Sequence, residues 1–219
     1  MRIENLTSFP MKDKIKTIVF DLGGVVFTSG THLTLVKLVE KYHIEDWKSL
    51  NFYFKSEHNS EGALLRLGHL SIDEFETKFY LKFKINENHP QNLRMIWFSN
   101  YIPYFSMLKI LKELCEQYRL IVFSGNIEER IRFLDSRYKF LKFFHKSLFS
   151  YEYHYAKTDR EFYYELLKHL YCKPSEALLI DDSFEVVEIA KSFGIHSILF
   201  SYTEQFTKEL LLYGIKTEI

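Results

Sequence analysis

The 219 residues, 47% of them hydrophobic, can bury a substantial core, and the length fits one α/β unit with an elaboration better than two independent domains. Lys and Arg number 29 and Asp and Glu number 29, so the summed charge gives no long-range pull toward nucleic acid or an anionic membrane, and any anion site must be local. The two cysteines, Cys115 and Cys172, form no CxxC pair, the opening MRIENLTSFPMKDKIK carries charges where a secretory signal needs an apolar core, and no stretch is long enough to span a bilayer. The expectation is a reduced, cytoplasmic chain that contacts neither membrane nor nucleic acid.

Taken in chain order, KTIVF, ending at Phe20, reads as a first strand. The next such run, RLIVF ending at Phe123, comes roughly 95 residues later, far beyond the dozen or so that one crossover helix needs. Something is inserted between them. Within it THLTLVKLVEKYHI, SEGALLRLGHLSIDEFETKFY and NLRMIWFSNYI have helical periodicity, and Ser71 to Glu74 matches a capping box. These segments predict a helical cap over residues 28–100, with 1–27 and 101–219 forming the core.

Beyond the insertion, apolar runs alternate with amphipathic ones: a helix over Tyr104 to Gln117, the RLIVF strand, and a helix over Ile127 to Leu134. The strand KSLFS up to Ser150 follows, then a helix over Arg160 to His169 and the strand ALLI up to Ile180. A helix over Phe184 to Phe193, stopped at Gly194, and the strand HSILF up to Phe200 complete the series. That alternation predicts an α/β fold, a doubly wound parallel sheet with an inserted helical cap. The aromatic content, 17%, is assigned to core filling.

In open parallel sheets ligands bind beyond the carboxyl ends of the strands, so the residues that follow each run carry the chemistry. They are Asp21, Leu22, Gly23 and Gly24 after the first, Ser124, Gly125 and Asn126 after the second, Lys157 beyond the third, and Asp181, Asp182 and Ser183 after the fourth. Alone, each has an ordinary reading as a turn former, a helix cap or a solvated charge. Together, Asp21, Asp181 and Asp182 would repel strongly unless a divalent cation sat among them, and Mg2+ with its hard oxygen ligands is the natural candidate. Ser124, the Gly125 N–H and Lys157 supply the donors a phosphoryl group needs.

Placed in this order, IVFDLGGVV, IVFSGN, YAKTDREFY and LLIDDSFEVVEIAKSFGI resemble the four motifs of the haloacid dehalogenase-like (HAD) hydrolases, and the resemblance covers nearly the whole chain. The insertion is similar to the helical C1 cap of subfamily I. The resemblance implies a phosphatase that acts on a small phosphorylated metabolite. Asp21 would be the nucleophile that forms an aspartyl-phosphate, and Lys157 its catalytic partner. Ser124, Gly125, Asn126 and Lys157 would bind substrate, and Asp21, the Gly23 carbonyl, Asp181 and Asp182 would hold Mg2+.

Two departures stand out. A Gly separates Ser124 from Asn126, and the position two after the nucleophile, where the family's phosphatases usually carry a second Asp as general acid, is Gly23. His32, His58 and Glu61 are candidate cap residues that could substitute. Two alternatives follow, a weakened HAD-like binding or regulatory protein and a dehalogenase on the same scaffold. The basic, aromatic stretch from Arg130 to Lys146 and the YEYHY segment read as packing rather than as a nucleic-acid surface or pocket wall.

Overall fold

The structure, a computed structural model, describes residues 14–56, 59–86 and 92–218. The strand β1 (Thr17–Phe20) leads into α1 (Gly30–Tyr42), α2 (Trp47–Phe54), α3 (Glu61–Arg66), α4 (Ile72–Lys82) and α5 (Asn92–Ser99). The chain then runs through α6 (Phe105–Leu114), β2 (Arg119–Ser124), α7 (Glu128–Tyr138), β3 (Lys146–Phe149), the short α8 (Ser150–Tyr153), α9 (Arg160–His169), β4 (Ala177–Asp181), α10 (Phe184–Ser192), β5 (His196–Leu199) and α11 (Thr203–Leu211). All five strands are parallel, in the order β3-β2-β1-β4-β5. Among the described residues no helix is long and apolar enough to cross a membrane.

The central strands read as continuous apolar runs because both faces of the sheet are covered. Ile18, Phe20, Leu120, Val122, Leu178 and Ile180 join one core with α6, α7 and α11, whereas Val19, Ile121, Phe123, Ala177 and Leu179 join a second with α9 and α10. Successive residues point to opposite faces, so a one-residue slip of register would exchange the two cores.

The five predicted strands are present, but Ser150, expected to end the third, opens α8 instead. The stretch expected as one helical segment over 60–80 divides into α3 and α4, since the chain turns at Gly68 with φ +72, which glycine adopts without strain. Helices α2 and α11, eight and nine residues long, lie outside the predicted elements. The capping box is formed: the Ser71 hydroxyl accepts from the Glu74 N–H, and the Glu74 carboxylate accepts from the Ser71 N–H.

Helices α1 to α5 do not form a separate core. Leu35, Leu38, Tyr53, Phe54, Phe75, Phe79 and Trp97 are buried in the same apolar cluster as the α6 face of the sheet. The chain enters and leaves this layer through two adjacent segments. The Thr28 N–H donates to the Ile102 carbonyl (2.9 Å) and the Tyr104 N–H to the Val26 carbonyl (2.9 Å). At the far end Gly68 packs so closely on Tyr151 that a Cβ there would lie 2.6 Å from the Tyr151 carbonyl oxygen, and His154 Nδ1 lies 2.7 Å from the Leu67 carbonyl.

A buried ion pair joins α4 to α5. The Glu76 side chain is 2% exposed and accepts from the Arg94 N–H and from Nε, both at 2.8 Å. Burial raises the Glu76 pKa, and Arg94 opposes that rise. Arg94→Leu should destabilise the protein by about 3–5 kcal/mol at neutral pH, since it strands a buried carboxylate. Without Arg94 the folded-state pKa of Glu76 lies further above its unfolded value, so stability is lost as pH rises. Urea denaturation should therefore show the deficit shrinking toward acidic pH.

Candidate active site

The strand order reverses direction at β1, and the crevice at the carboxyl ends of β2, β1 and β4 receives the residues that follow them. Asp21 is the first residue after β1; its N–H donates to the Ile180 carbonyl (3.0 Å), which fixes the Asp21 backbone against β4. Beyond it the Leu22 carbonyl accepts from the Val26 and Phe27 N–H groups, so the DLGGV segment is a closed turn. Gly24 in that turn has φ +85, and a Cβ there would lie 2.0 Å from Asp182 Oδ2. The close approach brings the loop after β4 against the loop after β1.

Lys157 lies in the loop between α8 and α9. His154, at φ 61, ends α8, and the Ala156 N–H donates to Asp159 Oδ2 (2.7 Å), which shapes the entry to α9. The Lys157 Nζ sits 2.7 Å from Asp21 Oδ2 and 2.7 Å from Asp181 Oδ2. Asp181 is fully buried, and its other oxygen accepts from the Ser183 N–H (2.9 Å). Asp21, Asp181 and Asp182 each offer one oxygen within a cluster no wider than 4.8 Å.

The electrostatics follow from burial. It pushes the Asp181 carboxyl up to about 7, although Lys157 pulls the other way, and Asp21 adds to the rise. Asp182 is raised by burial and by Asp21. Burial alone would lower the Lys157 pKa, yet Asp181 and Asp21 hold it above the ordinary lysine range, so the ammonium stays charged.

Of the residues singled out in the sequence, Asp21, Gly23, Ser124, Gly125, Asn126, Lys157 and Asp182 line one cavity of about 320 Å3. Ser124 is buried at its base. Asn126 is turned inward: Oδ1 accepts from the Ile127 N–H (2.9 Å) and from Arg130 Nε (2.7 Å), which leaves its amide nitrogen toward Ser124 (3.5 Å). His32 also lines the cavity, edge-on to Trp47. Glu61 faces Lys82 (3.8 Å) at the start of α3 and does not line it. His58 lies outside the described residues.

The structure adds residues that the sequence did not mark. Arg66 of α3 and Arg130 of α7 line the cavity and are buried. Tyr101 closes the side where a substituent on Gly23 would project, its Cε1 3.6 Å from such a Cβ. The Ser150 Oγ is buried without a hydrogen-bond partner in an adjoining cavity of about 240 Å3 that also reaches Gly125 and Lys157. No local signal distinguishes these from surface or packing residues; of the Arg130 to Lys146 stretch, Arg130 lines the cavity. The YEYHY tyrosines pack, Tyr151 on Phe149 and Tyr153 on Phe162.

Gly24→Ala tests the turn. A Cβ at φ +85 costs about 1–2 kcal/mol and meets the Asp182 carboxylate. The substitution should lower the thermal midpoint and weaken divalent-cation binding in a titration, whereas strain confined to the turn would lower only the midpoint.

Comparison with known proteins agrees with this geometry. Residues 15–194 match the family model for haloacid dehalogenase-like hydrolase. An uncharacterized protein of Dictyostelium discoideum is 31% identical over 175 residues, 76% of this chain and 71% of its own length. Among solved structures, a HAD family enzyme of Bacteroides thetaiotaomicron in complex with magnesium and inorganic phosphate superposes with a TM-score of 0.74 at 20% identity, covering 88% of this chain and 99% of that one. The L-2-haloacid dehalogenase of Xanthobacter autotrophicus, with chloropropionic acid covalently bound, gives 0.61 at 16% identity, over 90% and 83% of the two chains. With its parallel sheet, its strand-end carboxylates and a family match over most of its length, the chain belongs to the haloacid dehalogenase-like hydrolases.

Proposed function

We propose that the protein is a magnesium-dependent phosphatase that hydrolyses a small phosphorylated metabolite through an aspartyl-phosphate on Asp21. The observation that carries this reading is the Lys157 ammonium held 2.7 Å from both Asp21 and Asp181, with Asp182 completing the carboxylate cluster. Three hard oxygen donors in a space that small, two of them with raised pKa, fit a Mg2+ ion. Asp21, the Gly23 carbonyl and Asp182 would hold it, with Asp181 assisting by fixing Lys157. When bound, the ion neutralises charge on the carboxylates and on the phosphoryl oxygens.

Asp21 attacks phosphorus in line with the ester oxygen. The P–O bond to the leaving group breaks as the Asp21–phosphorus bond forms, and water then hydrolyses the acyl phosphate to inorganic phosphate and the free carboxylate. Ser124, the Gly125 N–H and Lys157 donate to the phosphoryl oxygens, and the pocket they form is rigid because Ser124 and Asn126 are buried. We further infer that residues 28–100 act as a cap, since the paired segments at Val26–Thr28 and Ile102–Tyr104 form its base. The free thiols Cys115 and Cys172 fit a reducing compartment such as the cytoplasm.

The Bacteroides structure with magnesium and phosphate supports the phosphatase reading by fold. The dehalogenase likeness is also one of fold, and the carboxylate cluster gives a metal-free displacement no advantage. Chelator separates the two.

Purified protein should turn over aryl phosphates with magnesium, lose activity with chelator, and be inactive as Asp21→Asn. Full activity in chelator would sink the proposal. Because Gly23 supplies no proton, alkyl esters should lag behind aryl esters; Gly23→Asp, whose Cβ has room beside Tyr101, should raise alkyl-ester turnover by about 10²-fold and narrow that gap.

Metal-free stability gives a second check. The folded-state pKa values of Asp181 and Asp182 lie above their unfolded values, so the stability these groups contribute is full below about pH 4 and is lost as pH rises through the folded values, about 7 for Asp181. Magnesium needs the deprotonated carboxylates. The rise in Tm on adding magnesium should be larger at pH 8 than at pH 5, and an equal rise at both would mean that the ion binds elsewhere.

A further inference from the structure

Two buried guanidinium groups line the cavity that also holds Asp21. Arg130 is 2% exposed; its Nε donates to Asn126 Oδ1 (2.7 Å), its Cζ lies 4.1 Å from the centre of the Tyr101 ring and 5.2 Å from that of Trp97, and its Nη1 has no hydrogen-bond partner. Arg66, 9% exposed, comes from α3 of the inserted layer, donates through Nη1 to the Gly62 (2.8 Å) and Lys55 (3.2 Å) carbonyls, and lies over the other side of the Trp97 environment (5.6 Å). Among the described residues neither arginine forms an ion pair with a carboxylate.

That arrangement is unfavourable in isolation. Burial lowers the Arg66 pKa to about 10 and repulsion from Arg130 contributes, while burial also lowers that of Arg130 against the pull of Tyr101 and Asp21. Aromatic faces cover the planes of the guanidinium groups, and carbonyl and amide oxygens take part of their N–H edges, but Nη1 of Arg130 is left unmet. The phosphoryl group already has its own donors on the core side, Ser124, Gly125 and Lys157. What remains of an ester bound there extends into the rest of the cavity, which Arg66 of the inserted layer and Arg130 of α7 line.

We propose that the substrate carries a second anionic group, a carboxylate or another phosphoryl, which is bound between Arg66 and Arg130. The unpartnered Nη1 of Arg130 supplies one donor to it, and the planar fork of a guanidinium matches the paired oxygens of either anion. The cavity, about 320 Å3, limits the remainder to a small metabolite. This inference rests on the phosphotransfer reading of Asp21 and deepens it, because it names what the leaving group presents to the cap.

Calorimetric titration with magnesium present tests it without turnover, using phosphonates that cannot be hydrolysed. Ethylphosphonate carries one anion, phosphonoacetate and 3-phosphonopropionate add a carboxylate, and 1,3-propanediphosphonate adds a second phosphonyl group. At least one two-anion probe should bind about tenfold or more tightly than ethylphosphonate, a gain of one strong charge-assisted contact. Which probe gains tells carboxylate from phosphoryl. Arg130→Gln and Arg66→Gln should each remove most of that gain, seen as the ratio between probes within one variant. Should either fail to fold, Arg130→Lys, which keeps the charge but not the fork, should still narrow the ratio. If ethylphosphonate binds and no second anion improves on it, the proposal is overturned and the phosphatase reading stands. If an equal loss for all probes follows from the arginine variants, the arginines serve the phosphoryl group itself and the proposal again fails. If no phosphonate binds at all, the phosphotransfer reading fails first and takes this one with it.

Discussion

A single buried ammonium organises the site. Lys157 touches Asp21 and Asp181 at equal distances; Asp21 directly follows β1 and Asp181 ends β4, neighbouring strands at the centre of the sheet. Parallel pairing sets both carboxylates at the same height, Phe20 beside Ile180, so each next residue meets the other at the strand ends. Two like charges brought together by backbone geometry need a counter-charge in the low-dielectric crevice, and the loop between α8 and α9 exists to deliver one. Asp182, Gly24 and Ser183 are arranged around that contact.

Above the sheet the inserted helices share the apolar core rather than resting on it. Phe54, Phe75 and Trp97 pack edge and face within the cluster that also holds Phe20 and Leu22, and Trp97 carries the guanidinium of Arg130 on its ring. The cavity is thereby bounded below by strand ends and above by a layer whose position is set by packing. Its lining divides along the same line: Asp21, Ser124, Gly125, Asn126 and Asp182 come from the strand ends, and Arg66 and Arg130 come from α3 and α7.

Gly23 shows that the turn after β1 does not depend on a side chain at that position. The turn that contains it closes through Leu22 and Phe27 backbone groups, for which the side chain at position 23 is irrelevant. Tyr101 occupies the adjacent space and hydrogen-bonds Thr31 (2.9 Å) rather than the nucleophile.

The sequence by itself determined the strands, their parallel order of use and the residues at their ends, because apolar runs and the residues that terminate them are local signals that every α/β sheet must display. Asp21, Ser124, Lys157, Asp181 and Asp182 were legible for that reason, and the Ser71 capping box likewise. Helices α2 and α11 lie outside the predicted elements, and the Ser71 box marks where α4 starts but not where α3 stops before the Gly68 turn. Only the tertiary structure decided that Arg66 and Arg130 are buried and line the same cavity, that Tyr101 joins its walls, and that Ser150 lines the adjoining one. An arginine on an amphipathic helix is by default a solvated charge, and its sequence context is the same whether it points to water or inward. What turns it inward is the packing of segments dozens of residues apart on Trp97, and no local pattern encodes that meeting.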